Sequence, residues 1–128
     1  MEAQSDLVVA DFEAGLGTLS RMKAGQLDVL LVVVEPTAKA IEVASRALAM
    51  IREGSVGRAV VLANRVQGDE DAALVARAFP GTEVIVVPDD PAIRAADAQG
   101  GAVFDLARDS PAVRAVRALA ARLLSDRS

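Results

Sequence analysis

Acidic, amide and glycine residues stand directly after apolar runs at several points in this 128-residue chain, and their types suit nucleotide chemistry. An Asp that closes an apolar strand can hold Mg²⁺, directly or through water, and a nearby glycine lets the backbone approach phosphate oxygens. A side-chain amide in the same place offers both a donor and an acceptor to the edge of a nucleobase. The residues that fit this description, with their neighbours, are Asp11, Glu13, Gly15, Asn64, Arg65, Pro88, Asp89 and Asp90.

Each of these signals also has a purely structural interpretation. Asp11 could cap a helix or lie in a solvated turn, and Asn64 could form an Asx turn. Asp90 can cap a helix that starts at Pro91, and Thr37 can cap the helix that follows the second apolar run. The residue types alone leave both interpretations open.

The elements that must position these residues are four short runs rich in Val, Leu and Ile. None of the runs alternates apolar with polar residues, which is typical of strands covered on both faces in a parallel sheet. Ligands collect beyond the carboxyl ends of such strands, where the residues above stand. The runs are Leu7 to Ala10, Val29 to Val34, Ala59 to Ala63 and Glu83 to Val87.

Segments with helical spacing of apolar residues separate and follow the runs. The spacing predicts one helix over Ala38 to Glu53, stopped by Gly54, and another over Asp69 to Phe79. In the last segment Ser110 is the predicted N-cap and Pro111 the first helical residue. Strand and helix therefore alternate, and we predict a single α/β domain over residues 1–128. Its architecture is three-layer α/β/α with a mainly parallel sheet of about four strands.

Composition narrows the functional classes. The net charge is −4 with both signs mixed, which disfavours nucleic acid as a partner. The chain has no Cys and no His, so any metal must be a hard cation held by oxygen. The longest apolar run, Leu27 to Val34, contains Asp28 and is too short to span a bilayer, and no signal peptide is recognisable. We expect a cytoplasmic protein without a membrane partner.

Taken in order, the segments resemble the C-terminal half of the MinD/ParA-type P-loop ATPases. The likeness is closest to the CooC-type members, which are nickel-insertion accessory ATPases of carbon monoxide dehydrogenase. It covers Asp6 to about Leu124. The matching segments are "DLVVADFEAG", "DVLLVVVEPTAKAIEVASRA", "VVLANRV" and "VIVVPDDPAIRAADAQGGAVFD…DSPAVRAVRALAARL".

The resemblance implies roles for the residues at the strand ends, with ATP or ADP and Mg²⁺ as cofactors. Asp11 would be the Mg²⁺-associated Asp, and Glu13 to Gly15 the switch segment that senses the γ-phosphate. Asn64 would contact adenine, with Arg65 beside it, and Pro88 to Asp90 would line the base pocket.

The chain departs from this family in one essential feature. Family members begin with a strand and a glycine-rich, lysine-bearing loop that cradles the phosphates. The only lysines here, Lys23 and Lys39, lie in no such loop. The family's missing strand would lie between the strands equivalent to Leu7 to Ala10 and Val29 to Val34, so its absence leaves unpaired edges. Those two strands could pair directly, or a second copy or a separate polypeptide could fill the gap.

Two functions follow from the resemblance and the missing loop. The chain could be a P-loop-less relative of the MinD/CooC ATPases that acts as a non-catalytic nucleotide-binding, partner-binding or dimerisation module. Alternatively, it could be the C-terminal part of an ATPase that hydrolyses ATP only with a P-loop-bearing half. We therefore expect either a homo-oligomer or a separate P-loop-bearing chain as partner, and no ATPase activity of this chain alone.

Two further interpretations come from other classes. A receiver-like signalling domain would need a Lys at the last strand end, and the sequence after Val87 contains none. In a plain scaffold that binds partners through a helix face, Asp11, Asn64 and Asp90 would be only caps and turns.

Overall fold

A computed structural model describes residues 7–12, 27–51, 54 and 56–126 of the chain. Within these ranges a three-stranded parallel sheet has the order β1-β2-β3. The strands are β1 (Leu27–Val34), β2 (Val56–Val66) and β3 (Glu83–Pro88). The helices are α1 (Ala38–Ala49), α2 (Asp69–Ala78), α3 (Pro91–Ala98), α4 (Val103–Leu106) and α5 (Pro111–Ser125).

The two faces of the sheet carry separate apolar clusters because successive side chains of a strand point to opposite sides. On one face, Val61 and Ala63 of the central strand pack with α1 and α2. On the other face, Val60 and Leu62 pack with α5. Helices therefore cover both faces, which gives the three-layer architecture that the sequence predicts.

The close approach of β1 and β2 explains why residue 57 is a glycine. A Cβ built on Gly57, near the start of β2, would lie 2.5 Å from the carbonyl oxygen of Asp28 in β1. The neighbouring strands run in register from Leu27 beside Val56 to Val34 beside Ala63. The start of β2 can approach β1 this closely only because residue 57 has no side chain.

The predicted helix caps at Thr37 and Asp90 are confirmed. The Thr37 hydroxyl accepts from the backbone N–H of Ala40, and Asp90 caps α3, which begins at Pro91 as predicted. The helix predicted to run to Glu53 ends earlier, at Ala49. Among the described residues, no helix has the length and apolar character needed to cross a membrane.

The first predicted strand is wrong. Residues 7–10 form no regular structure, and their side chains are exposed, to 79% for Val8 and 83% for Val9. An apolar run becomes a strand only where a neighbouring edge satisfies its backbone groups. In the described structure β1 is an edge strand that pairs only with β2, so direct pairing of residues 7–10 with β1 is not observed.

Candidate functional site

The carboxyl ends of the three strands bring together most of the residues singled out in the sequence. Glu35 follows β1, Asn64 and Arg65 lie near the end of β2, and Asp89 follows β3. Asn64 is the register partner of Val87, and Val66 is the partner of Pro88. The parallel arrangement places these ends at one edge of the sheet, called here the carboxyl edge.

Asn64 places a side-chain carboxamide near this edge. Its residue is half-buried, and its side chain forms no hydrogen bond with any other described residue. The Asx turn considered as the structural alternative is therefore not formed. The side chain keeps a donor and an acceptor with which a planar amide-like group, such as a base edge, can pair.

Arg65, the next residue, has an unusual backbone. It is the only non-glycine among the described residues with positive φ, at 59°. This left-handed conformation costs about 1–2 kcal/mol for a residue with a Cβ. It coincides with a register shift between Asn64 and Val66, as in a β-bulge. Backbone strain of this kind persists only where the surroundings hold it in place.

Ion pairs surround the strained residue. The Arg65 guanidinium lies 3.0 Å from a carboxylate oxygen of Glu35 and 3.5 Å from one of Asp89. The same Asp89 oxygen lies 3.3 Å from Arg94, and Gln67 donates to the other at 3.3 Å. The amide of Gln67 and the guanidinium groups of Arg94 and Arg65 hold the pKa of Asp89 below its usual value. Asp89 is therefore an ionised link between the ends of β2 and β3.

The side chain of Asp90 caps two helices. The residue is 7% exposed, and its carboxylate accepts hydrogen bonds from the backbone N–H of Ala92 and from that of Ala112, each at 3.0 Å. These donors, with Ala112 the largest cause, hold the pKa of Asp90 below its usual value. Ser110, the predicted cap of α5, makes no capping hydrogen bond through its side chain. Asp90 thus performs the capping predicted for Ser110.

Of the residues predicted to bind the metal and to sense the γ-phosphate, only Asp11 lies among the described residues. Glu13 and Gly15 lie outside the described residues. Asp11 is exposed in a segment without regular structure. The described part of the chain contains no group of three or more acidic side chains that could hold a metal ion. The assignment of Asp11 to Mg²⁺ stays a prediction.

The carboxyl edge carries one amide and several charged side chains. The Asn64 carboxamide, which pairs with no described residue, offers a donor and an acceptor that suit the edge of a flat base. The charges there are balanced, because the cations of Arg65 and Arg94 face the carboxylates of Glu35 and Asp89. A triphosphate needs backbone N–H groups and cations that are free to face it. Among the described residues, this edge therefore offers an amide that could pair with a base, and its arginines are already paired with carboxylates.

Sequence reasoning missed two participants. The sequence pattern singles out neither Glu35 nor Arg94 as a site residue. Both reach the edge through long side chains, Glu35 from the end of β1 and Arg94 from α3. The pairing of Glu35 with Arg65 joins residues 30 positions apart and depends on the tertiary structure. No spacing rule along the chain reports such a contact.

Comparison with known proteins gives the family context. No protein-family model matches the chain. The chain is 30% identical over 122 residues to an uncharacterised ATP-binding protein of Methanocaldococcus jannaschii. It is 28% identical over 123 residues to the carbon monoxide dehydrogenase accessory protein CooC of Rhodospirillum rubrum. The matches cover 93% and 94% of this chain but only 46% of each relative, so the chain spans about half the length of the relatives it matches. The chain thus corresponds to the C-terminal half of a CooC-like ATP-binding protein.

Proposed function

We propose that the chain is the base-binding half of a CooC-like nucleotide site and does not hydrolyse ATP alone. Asn64 pairs with the adenine of ATP or ADP, while Pro88 and the Asp89 loop line the pocket. The observation that carries this proposal is the carboxamide of Asn64, which pairs with no described residue and lies at the carboxyl edge of a chain related to an ATP-binding protein.

The lack of catalysis follows from what phosphoryl transfer requires. Catalysis of that reaction is almost entirely positioning and electrostatic stabilisation of the phosphates. This sequence contains no glycine-rich loop with a lysine, and the arginines at the carboxyl edge are already paired with carboxylates. Among the described residues, the two arginines of that edge, Arg65 and Arg94, are therefore not free to face the γ-phosphate.

A partner polypeptide that carries the phosphate loop would complete the site. Its docking place is the outer edge of β1, whose Leu31 and Val33 are 37% and 63% exposed. Both side chains lie on the face of Val29, which packs against the α5 cluster, because odd-numbered residues of β1 share one face. An unpaired edge beside exposed apolar side chains is suited to strand addition. The relatives contain roughly as much polypeptide again as the part that this chain matches, which favours a P-loop-bearing half as the occupant.

ATP turnover by the purified chain tests the catalytic part of the proposal. We expect no turnover above background with Mg²⁺ present. Turnover that is abolished by Asp11→Ala would overturn it, because that result would mean that the chain possesses a working metal and phosphate site. Hydrolysis that appears only after addition of a P-loop-bearing polypeptide would support the second form of the function, a split ATPase.

A further inference from the structure

The strained residue Arg65 has a second feature that the base pocket alone does not explain. Its backbone is left-handed, yet it is neither glycine nor asparagine, the residues that adopt this conformation most readily. A glycine would relieve the strain but would lose the guanidinium. The presence of arginine at this position points to a task for its side chain.

The side chain is clamped between two neighbouring strand ends. Glu35 holds it from the side of β1 and Asp89 from the side of β3. Asp89 is itself fixed, since its side chain is only 16% exposed and its backbone N–H donates to the carbonyl of Val66 at 2.9 Å. The clamp therefore joins all three strand ends through one guanidinium.

The clamp acts on the backbone next to Asn64. Ala63 and Val66 both belong to the cluster under α1 and α2, although residues three apart in a regular strand point to opposite faces. Asn64 keeps the register of the residues before it and so shares the opposite face with Val60 and Leu62, whereas the extra residue directly after it brings Val66 back to the first face. The clamp therefore holds the peptide group that joins Asn64 to the bulge, which is one of the two peptide groups that orient the Asn64 side chain.

We propose that Arg65 is a positioning residue, clamped by Glu35 and Asp89 in a left-handed conformation that aims the Asn64 carboxamide at the nucleotide base. This inference rests on the proposed base-binding function. It differs from a role of Arg65 as a direct ligand contact, because the guanidinium is occupied by the two carboxylates.

The sequence offers a sharp probe of this arrangement. Asn64 is the only asparagine in the chain. Labelling with ¹⁵N-asparagine therefore gives one backbone amide and one side-chain amide pair, both from Asn64. The ligand-free chain is compared with Glu35→Gln, which removes the carboxylate from one side of Arg65. The matched control is Glu42→Gln, which removes a similarly exposed ion-pair partner, that of Arg46, from α1.

We expect Glu35→Gln to shift or broaden the Asn64 side-chain pair and Glu42→Gln to leave it unchanged. Arg65→Ala should have the larger effect, and Arg65→Lys should restore part of the wild-type spectrum, because it keeps a cation between the two carboxylates. Ligand-free Asn64 signals that are identical in the wild type, Glu35→Gln and Arg65→Ala would overturn the inference.

Binding of ADP separates positioning from direct contact. If Arg65 positions Asn64, Glu35→Gln should weaken ADP binding by about two- to fivefold, the scale of one exposed ion pair. If Arg65 contacts the nucleotide, releasing it from Glu35 would leave binding unchanged or strengthen it, and the inference would be wrong. Failure of ADP to move the Asn64 signals of the wild type would contradict the proposed function, whereas the clamp is judged on the ligand-free spectra.

Discussion

The side chain of Asp90 accepts a hydrogen bond from the backbone N–H of Ala112, at 3.0 Å and across 22 residues of the chain. The other carboxylate oxygen accepts from Ala92 in the first turn of α3. One buried side chain therefore caps two helices, and it sits directly after Asp89 in the loop that ends β3. The position of this loop beside the candidate base pocket depends on α5 as well as on α3.

Asp90→Ala should destabilise the fold by releasing both helix starts. Loss of an N-cap of this type corresponds to a decrease in Tm of about 3–6 °C for a domain of this size. The control is Asp97→Ala, which removes an exposed carboxylate from the end of α3. Equal Tm values for the two variants in thermal unfolding followed by circular dichroism would show that the double cap does not stabilise the protein.

The stability of the protein should also depend on pH through Asp90. Its pKa is held below the ordinary value of 3.8, mainly by the Ala112 N–H, so the folded state binds fewer protons there than the unfolded state. The resulting stabilisation is present above the unfolded pKa and is lost as the pH falls through the folded pKa. Urea midpoints measured from about pH 6 to about pH 3 should fall less steeply in Asp90→Asn than in the wild type. Parallel curves for the two proteins would contradict this prediction.

Gly57→Ala should be destabilising because of close strand packing. The new methyl group would lie 2.5 Å from the Asp28 carbonyl oxygen. Because that oxygen belongs to the backbone of β1, it cannot move away without disturbing the strand. We expect a loss of about 1–3 kcal/mol in the free energy of unfolding, as for overpacking of a core. Gly68→Ala is the control for the added methyl group, because a Cβ there meets nothing within 4 Å and only the N-cap preference of glycine over alanine is lost. A Gly57→Ala variant as stable as Gly68→Ala would mean that β1 and β2 are farther apart than described.

The outer edge of β1 gives a prediction about assembly. Val33→Lys should leave the fold intact, because the side chain is already 63% exposed, but should weaken docking of a P-loop-bearing half by about tenfold or more. The binding partner to use is a polypeptide with a lysine-bearing glycine loop encoded next to this chain. Val43→Lys, which changes a 50% exposed valine on α1, is the control.

For both variants, light scattering measures association with the P-loop-bearing half, and ATP turnover is measured in the same mixture. Association and turnover that survive Val33→Lys but not Val43→Lys would place the docking surface elsewhere. Self-association of the chain alone, lost in Val33→Lys, would identify a second copy as the occupant of the edge instead.

The sequence was sufficient to predict features that depend on neighbouring residues. The three described strands, the cap at Thr37 and the start of α3 at Pro91 all follow from local composition and spacing. The three-layer arrangement followed from the alternation of strands and helices. Such features are local, or repeat regularly along the chain, and so can be read without tertiary contacts.

The features that escaped prediction depend on distant contacts. The run over residues 7–10 has strand composition, but no described edge pairs with it. Ser110 has the right type and place for a cap, yet Asp90 performs that function from 20 residues earlier in the chain. The left-handed conformation of Arg65 contradicts local preference, and its guanidinium pairs with Glu35, which lies 30 residues away, and with Asp89. Tertiary contacts overrode local signals in each case.

Calorimetric titration of the purified chain with ADP and Mg²⁺ tests the central claim most directly. The wild type is compared with Asn64→Ala and with Gln99→Ala, which removes an exposed amide from the end of α3. The account predicts saturable binding that Asn64→Ala weakens by about tenfold, the scale of a hydrogen-bonded base contact, and that Gln99→Ala leaves unchanged. Absence of binding at millimolar ADP, or equal affinities for wild type and Asn64→Ala, would contradict it.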